Sequence, residues 1–148
     1  MVSTEENKAI VHRAYIEGMN TRDMGIIEEV FSPEYISHFP GQPPTQGIEP
    51  IKDVLQSFFD AFPDIVFKIE DQLAEGDRVA TRWSAQGTHQ GEWRGFPPRE
   101  NGIPPTGRHV TFSATDIYLI AEGQIAEEWN TLEQLAVLEQ IGAVPEPE

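Results

Sequence analysis

The chain contains no cysteine among its 148 residues. Disulfide bonds and thiol catalysis are therefore excluded, and the fold does not need an oxidising compartment. The four histidines show neither a His-x-His nor a His-x-x-x-His spacing. Because the usual ligand spacings are missing, we predict that the chain has no metal site.

Positive charge is also scarce, since 10 Lys and Arg residues stand against 25 Asp and Glu residues, for a net charge of −15. Such a chain repels phosphate backbones and anionic lipid, so we predict neither nucleic acid nor membrane as a partner. No apolar run approaches the ~20 residues that a membrane span needs. The stretch Met1–Asn7 is polar and acidic, unlike a secretory signal. We therefore expect a cytoplasmic protein.

Phosphate-binding glycine loops and the Gly-x-Ser-x-Gly nucleophile motif are absent as well. Nicotinamide-dependent, ATP-dependent and serine-hydrolase chemistries consequently find no support in the sequence. We expect a protein that works without a cofactor.

The residues that are present predict one globular domain over 1–148, with 39% hydrophobic and 24% charged residues. The first part of the chain has the three- and four-residue apolar spacing of helices. Ser3 and Glu6 fit a capping box that opens the first helix. The first predicted helix is broken by Asn20-Thr21-Arg22-Asp23, and a short second helix ends at Ser32-Pro33. After a short extended piece and a loop, a third helix is predicted from about Ile48 to Phe62.

The second part of the chain changes to a period of two, which indicates strands with one buried face. We predict a hairpin, two further strands and a last helix capped by Thr131, and the strands cover 65–70, 79–86, 109–120 and 124–129. Helices first and antiparallel strands afterwards indicate an α+β fold. Helices that cross a curved sheet leave a cavity between the two layers.

Asp116 is the first candidate for chemistry, because it shares the more apolar phase of its strand with Phe112 and Ile120. Successive strand side chains point to opposite faces, so Asp116 is expected to face the core. Burial raises the pKa of a carboxyl group, which suits a general acid or base near neutral pH. The alternative is a structural carboxylate, bonded to a loop or to another subunit.

Glu127 shares a phase with Ile125 and Trp129 in the next strand, so it is a second candidate for the inner face. There it would pair with Arg82 or share a proton with Asp116. The alternative is a glutamate on the sheet surface or in a structural ion pair.

Two histidines are candidates for polarising a carbonyl group or carrying a proton. His38 precedes a loop rich in proline and glycine, and His89 lies at the far end of a strand. His109, at the start of a strand, is a weaker candidate, and the position of His12 on a polar helix side indicates no function.

An aromatic set accompanies these polar groups in the predicted inner layer. Such a set forms a plain core more often than a ligand pocket. The residues that we predict to bind a substrate are Tyr15, Phe58, Arg82, Trp83, Glu127 and Trp129.

An ordered series of short motifs runs through nearly the whole chain. Its members are Tyr35-Ile36-Ser37-His38, Gly87-Thr88-His89-Gln90-Gly91-Glu92, Pro104-Pro105-Thr106-Gly107-Arg108, Val110-Thr111-Phe112, Asp116-Ile117-Tyr118, Gly123-Gln124-Ile125, Glu127, Trp129 and Leu135-x-x-Leu138-x-Gln140-Ile141-Gly142. With this series the chain resembles the SnoaL-like polyketide cyclase, or ester cyclase, branch of the nuclear transport factor 2-like superfamily.

The resemblance implies a cone-shaped, cystatin-like roll, with a curved antiparallel or mixed sheet, helices packed over it, a pocket inside and a homodimer formed through the sheet. It also implies cofactor-free aldol closure of a ring in an aromatic polyketide ester. The acid/base role would fall on Asp116, and Tyr15 would be an aromatic pocket residue. The chain departs from the pattern in the long loop Gly95–Gly107, where Gly-Phe-Pro-Pro is echoed by Gly-Ile-Pro-Pro.

Three functional hypotheses remain open at this point. In the leading one, a small hydrophobic carbonyl compound is cyclised by Asp116 with help from His38 or His89. The second is an isomerase, or an epoxide hydrolase in which Arg82 and Asn130 hold a water beside Asp116. The third is a homodimer that binds a ligand without turning it over, because a fold alone does not fix a function.

Overall fold

The computed structural model describes residues 3–95 and 100–144, and its first element is the capped helix that the sequence predicts. Helix α1 spans Thr4–Arg13, and the Ser3 side chain accepts a hydrogen bond of 3.1 Å from the backbone N–H of Glu6. A π-helical segment, Ala14–Met19, continues it directly. Helix α2, Met24–Val30, begins at Asp23, whose carboxylate accepts from two backbone N–H groups of the first turn. This use of an acidic cap is expected at a helix N-terminus.

The third predicted helix is also confirmed. Helix α3 spans Glu49–Ala61, carries Pro50 in its first turn and buries one apolar face. The last helix, α4, spans Gln134–Gln140 and starts later than predicted. Thr131 does not cap it, because the Thr131 hydroxyl is hydrogen-bonded to the backbone of Thr115 instead.

One mixed sheet of six strands contains every strand of the described residues, in the order β2-β1-β6-β5-β4-β3. Strands β1 and β6 are parallel, and all other neighbours are antiparallel. The first strand begins at Phe31, earlier than the sequence indicates, while the predicted hairpin and the two later strands are confirmed. The strands are β1 Phe31–His38, β2 Thr45–Gln46, β3 Val66–Glu75, β4 Arg78–Thr88, β5 His109–Ala121 and β6 Gln124–Trp129.

The sheet is curved and open, with one face buried under α1, α2 and α3 and the other face directed outward. Strands β4 and β5 alternate regularly between buried and exposed side chains along their whole length. The helices and the sheet form the α+β cone that the resemblance implies. Among residues 3–95 and 100–144, no helix is long and apolar enough to cross a membrane.

Strand β6 covers only half of β5, and the C-terminal segment protects the other half. Gln140 bonds both backbone groups of Thr111, at 2.9 and 2.7 Å. The backbone N–H of Glu133 donates to the carbonyl of Ser113 at 3.3 Å. Side chains and loop backbone thus form hydrogen bonds with backbone groups of β5 at an edge that would otherwise be open for strand addition.

A β-bulge interrupts β6 at Ala126. Glu127 lies opposite Leu119 and Ile125 lies opposite Ile120, which leaves Ala126 as an extra residue between the two pairs. Alternation fails at this point, because a bulge shifts the following side chains to the other face. Ile125 and Glu128 are therefore both buried, although they are three residues apart.

The loop after β4 contributes Trp93 to the core, a residue that the sequence places only in an irregular loop. Trp93 and Ile103 exchange two backbone hydrogen bonds of 2.9 and 2.8 Å. The Trp93 ring lies 5.1 Å from that of Phe58, which is itself stacked on Phe112. Half of the predicted loop duplication, at 96–98, lies outside the described residues.

Candidate functional site

A small cavity lies between the inner face of the sheet and the helices. Its side chains are all less than a tenth exposed. The free space is about 30 Å³, which is room for a water molecule or two. The cavity is lined by Tyr15, Met19, Phe39, Ile51, Val54, Leu55, Phe58, Phe67, Trp83, Asp116, Tyr118, Glu128 and Asn130.

Asp116 lies in this cavity, on the inner face of β5, as its strand phase predicts. The Asn130 amide donates to Oδ1 at 2.8 Å, and the Tyr118 hydroxyl donates to Oδ2 at 3.1 Å. Burial raises the pKa of Asp116, and hydrogen bonds from its neighbours, including Glu128 and Asn130, oppose part of this rise. A raised pKa makes a carboxyl group a stronger base toward a proton on carbon than an exposed aspartate is.

Glu128 is a second buried carboxyl group in the same cavity. The Tyr35 hydroxyl donates a hydrogen bond to Oε1 of Glu128. Burial raises the pKa of Glu128 well above its ordinary value, and the negative charge of Asp116 raises it further. Two carboxylates in one buried cavity with no cation among its described lining residues ionise together only at a high cost in free energy. We therefore expect the pair to hold one proton, with the ionisation of one carboxyl group affecting that of the other.

Among the described residues, the lining of the cavity around the acid pair carries no positive charge. None of the side chains that line the cavity is Lys, Arg or His. In the part of the chain that the structure describes, no group of three or more His, Cys, Asp or Glu side chains is arranged to hold a metal ion. Hydrogen-bond donors alone stabilise the negative charge.

A relay of hydroxyl groups leads from the helical layer to Asp116. The Tyr118 proton is used on Asp116, so Tyr15 donates to the Tyr118 oxygen in turn. Burial raises the pKa of both phenols well above the ordinary value, so both remain protonated donors. Tyr15 is thereby fixed with its ring at the cavity wall, 6.0 Å from the ring of Trp83.

Trp83 presents an unused donor to the cavity. Its indole Nε1 is buried and has no partner that satisfies hydrogen-bond geometry. The N–H nevertheless lies close enough to Asp116 to lower the pKa of that carboxyl group. The free donor is available to a ligand oxygen, because an unpaired buried N–H gains from any acceptor that enters.

Three of the residues predicted to bind a substrate, Tyr15, Phe58 and Trp83, line the cavity. Phe58 lies on α3, stacked at 5.6 Å on Phe112. Together with the aliphatic residues of α3, they make an apolar wall that faces the polar end formed by the two acids. The cavity thus suits an apolar molecule with polar atoms at one end.

The predicted inward orientation of Glu127 and Trp129 is wrong, and the reason is the bulge at Ala126. Both side chains are on the outer face, where His38 joins them. His38 Nε2 lies 2.6 Å from a Glu127 oxygen, and its ring stacks on Trp129 at 5.2 Å. The Arg78 guanidinium group lies over the Trp129 ring, 5.2 Å from its centroid. These three predicted site residues form a cluster outside the cavity.

Arg82 and His89 are also outside the cavity. Arg82 is on the outer face and binds Asp71 through two hydrogen bonds of 3.1 and 3.2 Å. His89 is fully buried, and its Nδ1 accepts from the backbone N–H of Thr106 at 3.2 Å. Burial lowers the pKa of His89. Neither Arg82 nor His89 lines the cavity that holds Asp116.

The sequence analysis did not identify Glu128, Tyr35 or Tyr118 as residues of the site. Tyr118 shares the phase of Asp116, so its position was available from the same alternation. Glu128 was hidden by the bulge, and Tyr35 only gains its role through Glu128. Asn130, named beforehand as a water-holding residue, instead bonds Asp116 directly.

A family model for the SnoaL-like polyketide cyclase matches residues 9–141. The chain belongs to this family. No match was found among curated proteins.

Solved structures share the fold over almost the whole chain. A proposed SnoaL-like polyketide cyclase from Jannaschia sp. CCS1 is 26% identical, with a TM-score of 0.83 over 96% of this chain and 95% of that one. IdmH, a proposed polyketide cyclase from Streptomyces antibioticus, is 29% identical, with a TM-score of 0.77 over 92% and 98%. AclR from Streptomyces galilaeus, a proposed hydroxylase, is 25% identical, with a TM-score of 0.83 over 99% and 87%.

Proposed function

We propose that the protein is an acid/base enzyme that closes a ring by an intramolecular aldol reaction in a polyketide or a related hydrophobic carbonyl compound. The observation that carries the proposal is Asp116, buried at the polar end of an apolar cavity and surrounded by hydrogen-bond donors. Membership of the cyclase family supports the same reaction class.

In the first step, the Asp116 carboxylate removes a proton from a carbon next to a carbonyl group. The electrons of the C–H bond move onto the carbonyl oxygen, which becomes an enolate. The Trp83 N–H is a donor for this oxygen, since it has no other partner in hydrogen-bond geometry. A positioned donor and a positioned base each lower the barrier, and proton transfer by such a group contributes about 10²–10⁴-fold.

The cavity favours a neutral substrate. An anionic molecule would meet two acids and no lining cation, so an ester or a ketone fits the electrostatics better than a free acid. The free space of about 30 Å³ is much smaller than a ring system, so entry requires displacement of side chains such as Phe39 and Leu55 on the α3 side. Small movements of packed helices on a ligand's arrival are common in enzymes.

The hydrolase alternative loses its main support. It needs an arginine beside Asp116, and Arg82 is bound to Asp71 on the opposite face. The alternative without turnover predicts that Asp116→Asn leaves ligand binding intact and that no catalysed exchange exists.

Exchange of α-protons for deuterium tests the proposed first step. An aromatic ester with a β-keto side chain is incubated in D₂O, and the incorporated deuterium is followed by mass spectrometry, with ring closure followed by chromatography. We expect catalysed exchange that falls by at least about 10²-fold in Asp116→Asn. Glu127→Gln, on the outer face, is the matched control and keeps the wild-type rate. Full activity in Asp116→Asn contradicts the role of Asp116 as the base.

The homodimer remains a proposal, and a row of outer-face side chains supports it. Leu73, Ala80, Ile117 and Trp129 are successive cross-strand neighbours on β3, β4, β5 and β6. Leu73 is 76% exposed and Ile117 is 41% exposed. Sedimentation is expected to give twice the mass of the chain, and Ile117→Glu is expected to give the single mass. A wild-type monomer at micromolar concentration refutes the dimer.

A further inference from the structure

Two carboxyl groups line one buried cavity, although acid/base chemistry at carbon needs only one base. The groups that face them come from every surrounding element. Tyr15 comes from the π-helical segment, Tyr35 from β1, Trp83 from β4 and Tyr118 from β5, and all of these are neutral donors. Helix α3 contributes apolar side chains alone to the lining. Within residues 3–95 and 100–144, the second carboxyl group therefore has no salt-bridge partner.

We propose that Glu128 is a second catalytic residue, the acid that protonates the oxygen formed on ring closure, while Asp116 is the base at carbon. The inference rests on the proposed function and assigns a division of labour within the same site. It follows from the placement of both side chains on the cavity surface and from the unequal distribution of donors around them.

The donors are concentrated on Asp116. Asn130 and Tyr118 donate to its two oxygens, and the Trp83 N–H lies near enough to lower its pKa. Among the described residues, the Tyr35 hydroxyl donates to the Glu128 carboxyl group, and the Tyr118 hydroxyl, which donates to Asp116, also lies near enough to lower the pKa of Glu128. Since hydrogen bonds to a carboxylate favour its charged form, the negative charge belongs on Asp116 and the proton on Glu128.

The directions of the two pKa shifts agree with this assignment. The pKa of Glu128 is raised well above the ordinary value, and the contact with Asp116 raises it. The same contact lowers the pKa of Asp116. A carboxylic acid that stays neutral near pH 7 in an apolar site is a competent hydrogen-bond donor and acid.

The proposed reaction balances without any other reactant. Asp116 takes the proton from carbon and becomes neutral, and the enolate carbon attacks a second carbonyl group of the same molecule. A C–C bond forms, and the electrons of the attacked C=O bond pass to its oxygen. Glu128 gives its proton to this oxygen, which yields an alcohol. Transfer of the Asp116 proton to Glu128 across their contact then restores the starting state.

A measurement without substrate tests the location of the proton. Glu128→Gln mimics the neutral acid, whereas Glu127→Gln removes a glutamate from the opposite face of the same strand and serves as control. A carboxyl group with a raised pKa in the folded state makes the protein less stable as pH rises above the pKa of the unfolded chain. Between pH 5 and 8 we expect the folding constant of Glu128→Gln to rise, relative to Glu127→Gln, by up to about tenfold per pH unit.

Urea unfolding of both variants at several pH values gives this ratio, and circular dichroism shows that each variant is folded. A ratio that stays constant from pH 5 to 8 overturns the inference, whether or not the protein has activity. The test therefore fails or succeeds independently of the proposed reaction.

Kinetics with the β-keto ester tests the division of labour. In Glu128→Gln the base is intact, so deuterium exchange at carbon is expected to remain within about tenfold of the wild-type rate. Ring closure is expected to fall by about 10²-fold or more, because the acid is missing. Equal loss of both rates overturns the separate role of Glu128, while absence of exchange in the wild type contradicts the proposed function and leaves the proton assignment to the urea experiment.

Discussion

The three tyrosines of the chain, Tyr15, Tyr35 and Tyr118, predict how the protein responds to alkali. All three are at most 2% exposed, and their hydroxyl groups surround the acid pair. Burial and the nearby carboxyl groups raise the pKa of each phenol well above its ordinary value. We therefore expect no tyrosine to ionise in the folded protein near pH 10, where free tyrosine ionises.

The magnitude follows from proton linkage. An acid with a raised pKa in the folded state binds its proton more tightly there than in the unfolded chain, so its contribution to stability is lost as pH rises above the unfolded pKa. Three phenols together reduce the free energy of unfolding by about 4 kcal/mol per pH unit above pH 10. A domain with about 5–15 kcal/mol of stability is expected to unfold cooperatively within a few pH units.

Absorbance at 295 nm and circular dichroism at 222 nm, recorded on the same samples from pH 8 to 13, check this expectation. The two signals are expected to change together in one steep transition. In guanidinium chloride, as control, all three phenols are expected to titrate near pH 10. A gradual absorbance change near pH 10 with unchanged circular dichroism refutes the buried placement of the phenols.

Three further substitutions have defined outcomes in thermal or urea unfolding. Phe58→Ala removes a buried ring that contacts Phe112, and about 3–5 kcal/mol of stability is expected to be lost; a loss below 1 kcal/mol contradicts its core position. Gly91→Ala places a Cβ 1.9 Å from the carbonyl oxygen of Asp60, so we expect a lower melting temperature. An unchanged melting temperature argues against this close approach of the two backbone segments. Arg82→Ala breaks the exposed ion pair with Asp71, so the free energy of unfolding is expected to change by less than about 1 kcal/mol. The rate of deuterium exchange is expected to stay unchanged, and a loss of this activity would indicate that Arg82 acts in the site.

The sequence predicted the elements and one half of the acid pair, because these depend on local periodicity. Strand β5 has no irregularity along its thirteen residues, so the phase of Asp116 could be read directly. Tyr15 and Phe58 followed in the same way from helical spacing. In these segments one period continues from end to end.

The remaining errors arise where the backbone departs from a regular period or where a distant segment competes for a side chain. An extra residue in β6 exchanged the faces of Glu127 and Glu128, and apolar neighbours of Glu127 gave no sign of it. Thr131 has the composition of a helix cap, but the edge of β5 uses its hydroxyl group. Trp93 is buried through a contact with Ile103, ten residues later, which no local pattern encodes.

The bulge at Ala126 also bears on how such a site changes during evolution. Two adjacent glutamates serve opposite faces, one beside His38 and the other beside Tyr35. Deletion of Ala126 would remove the bulge and leave the other pairs with β5 unchanged, so Glu128 would still face the cavity and Glu127 the outer face. If the strand instead became regular with Ala126 kept, Glu127 would turn inward and Glu128 outward, because a shift of one residue turns each side chain to the other face. Loss of one residue at the bulge is therefore tolerated by the site, whereas loss of the bulge with its residue kept is not.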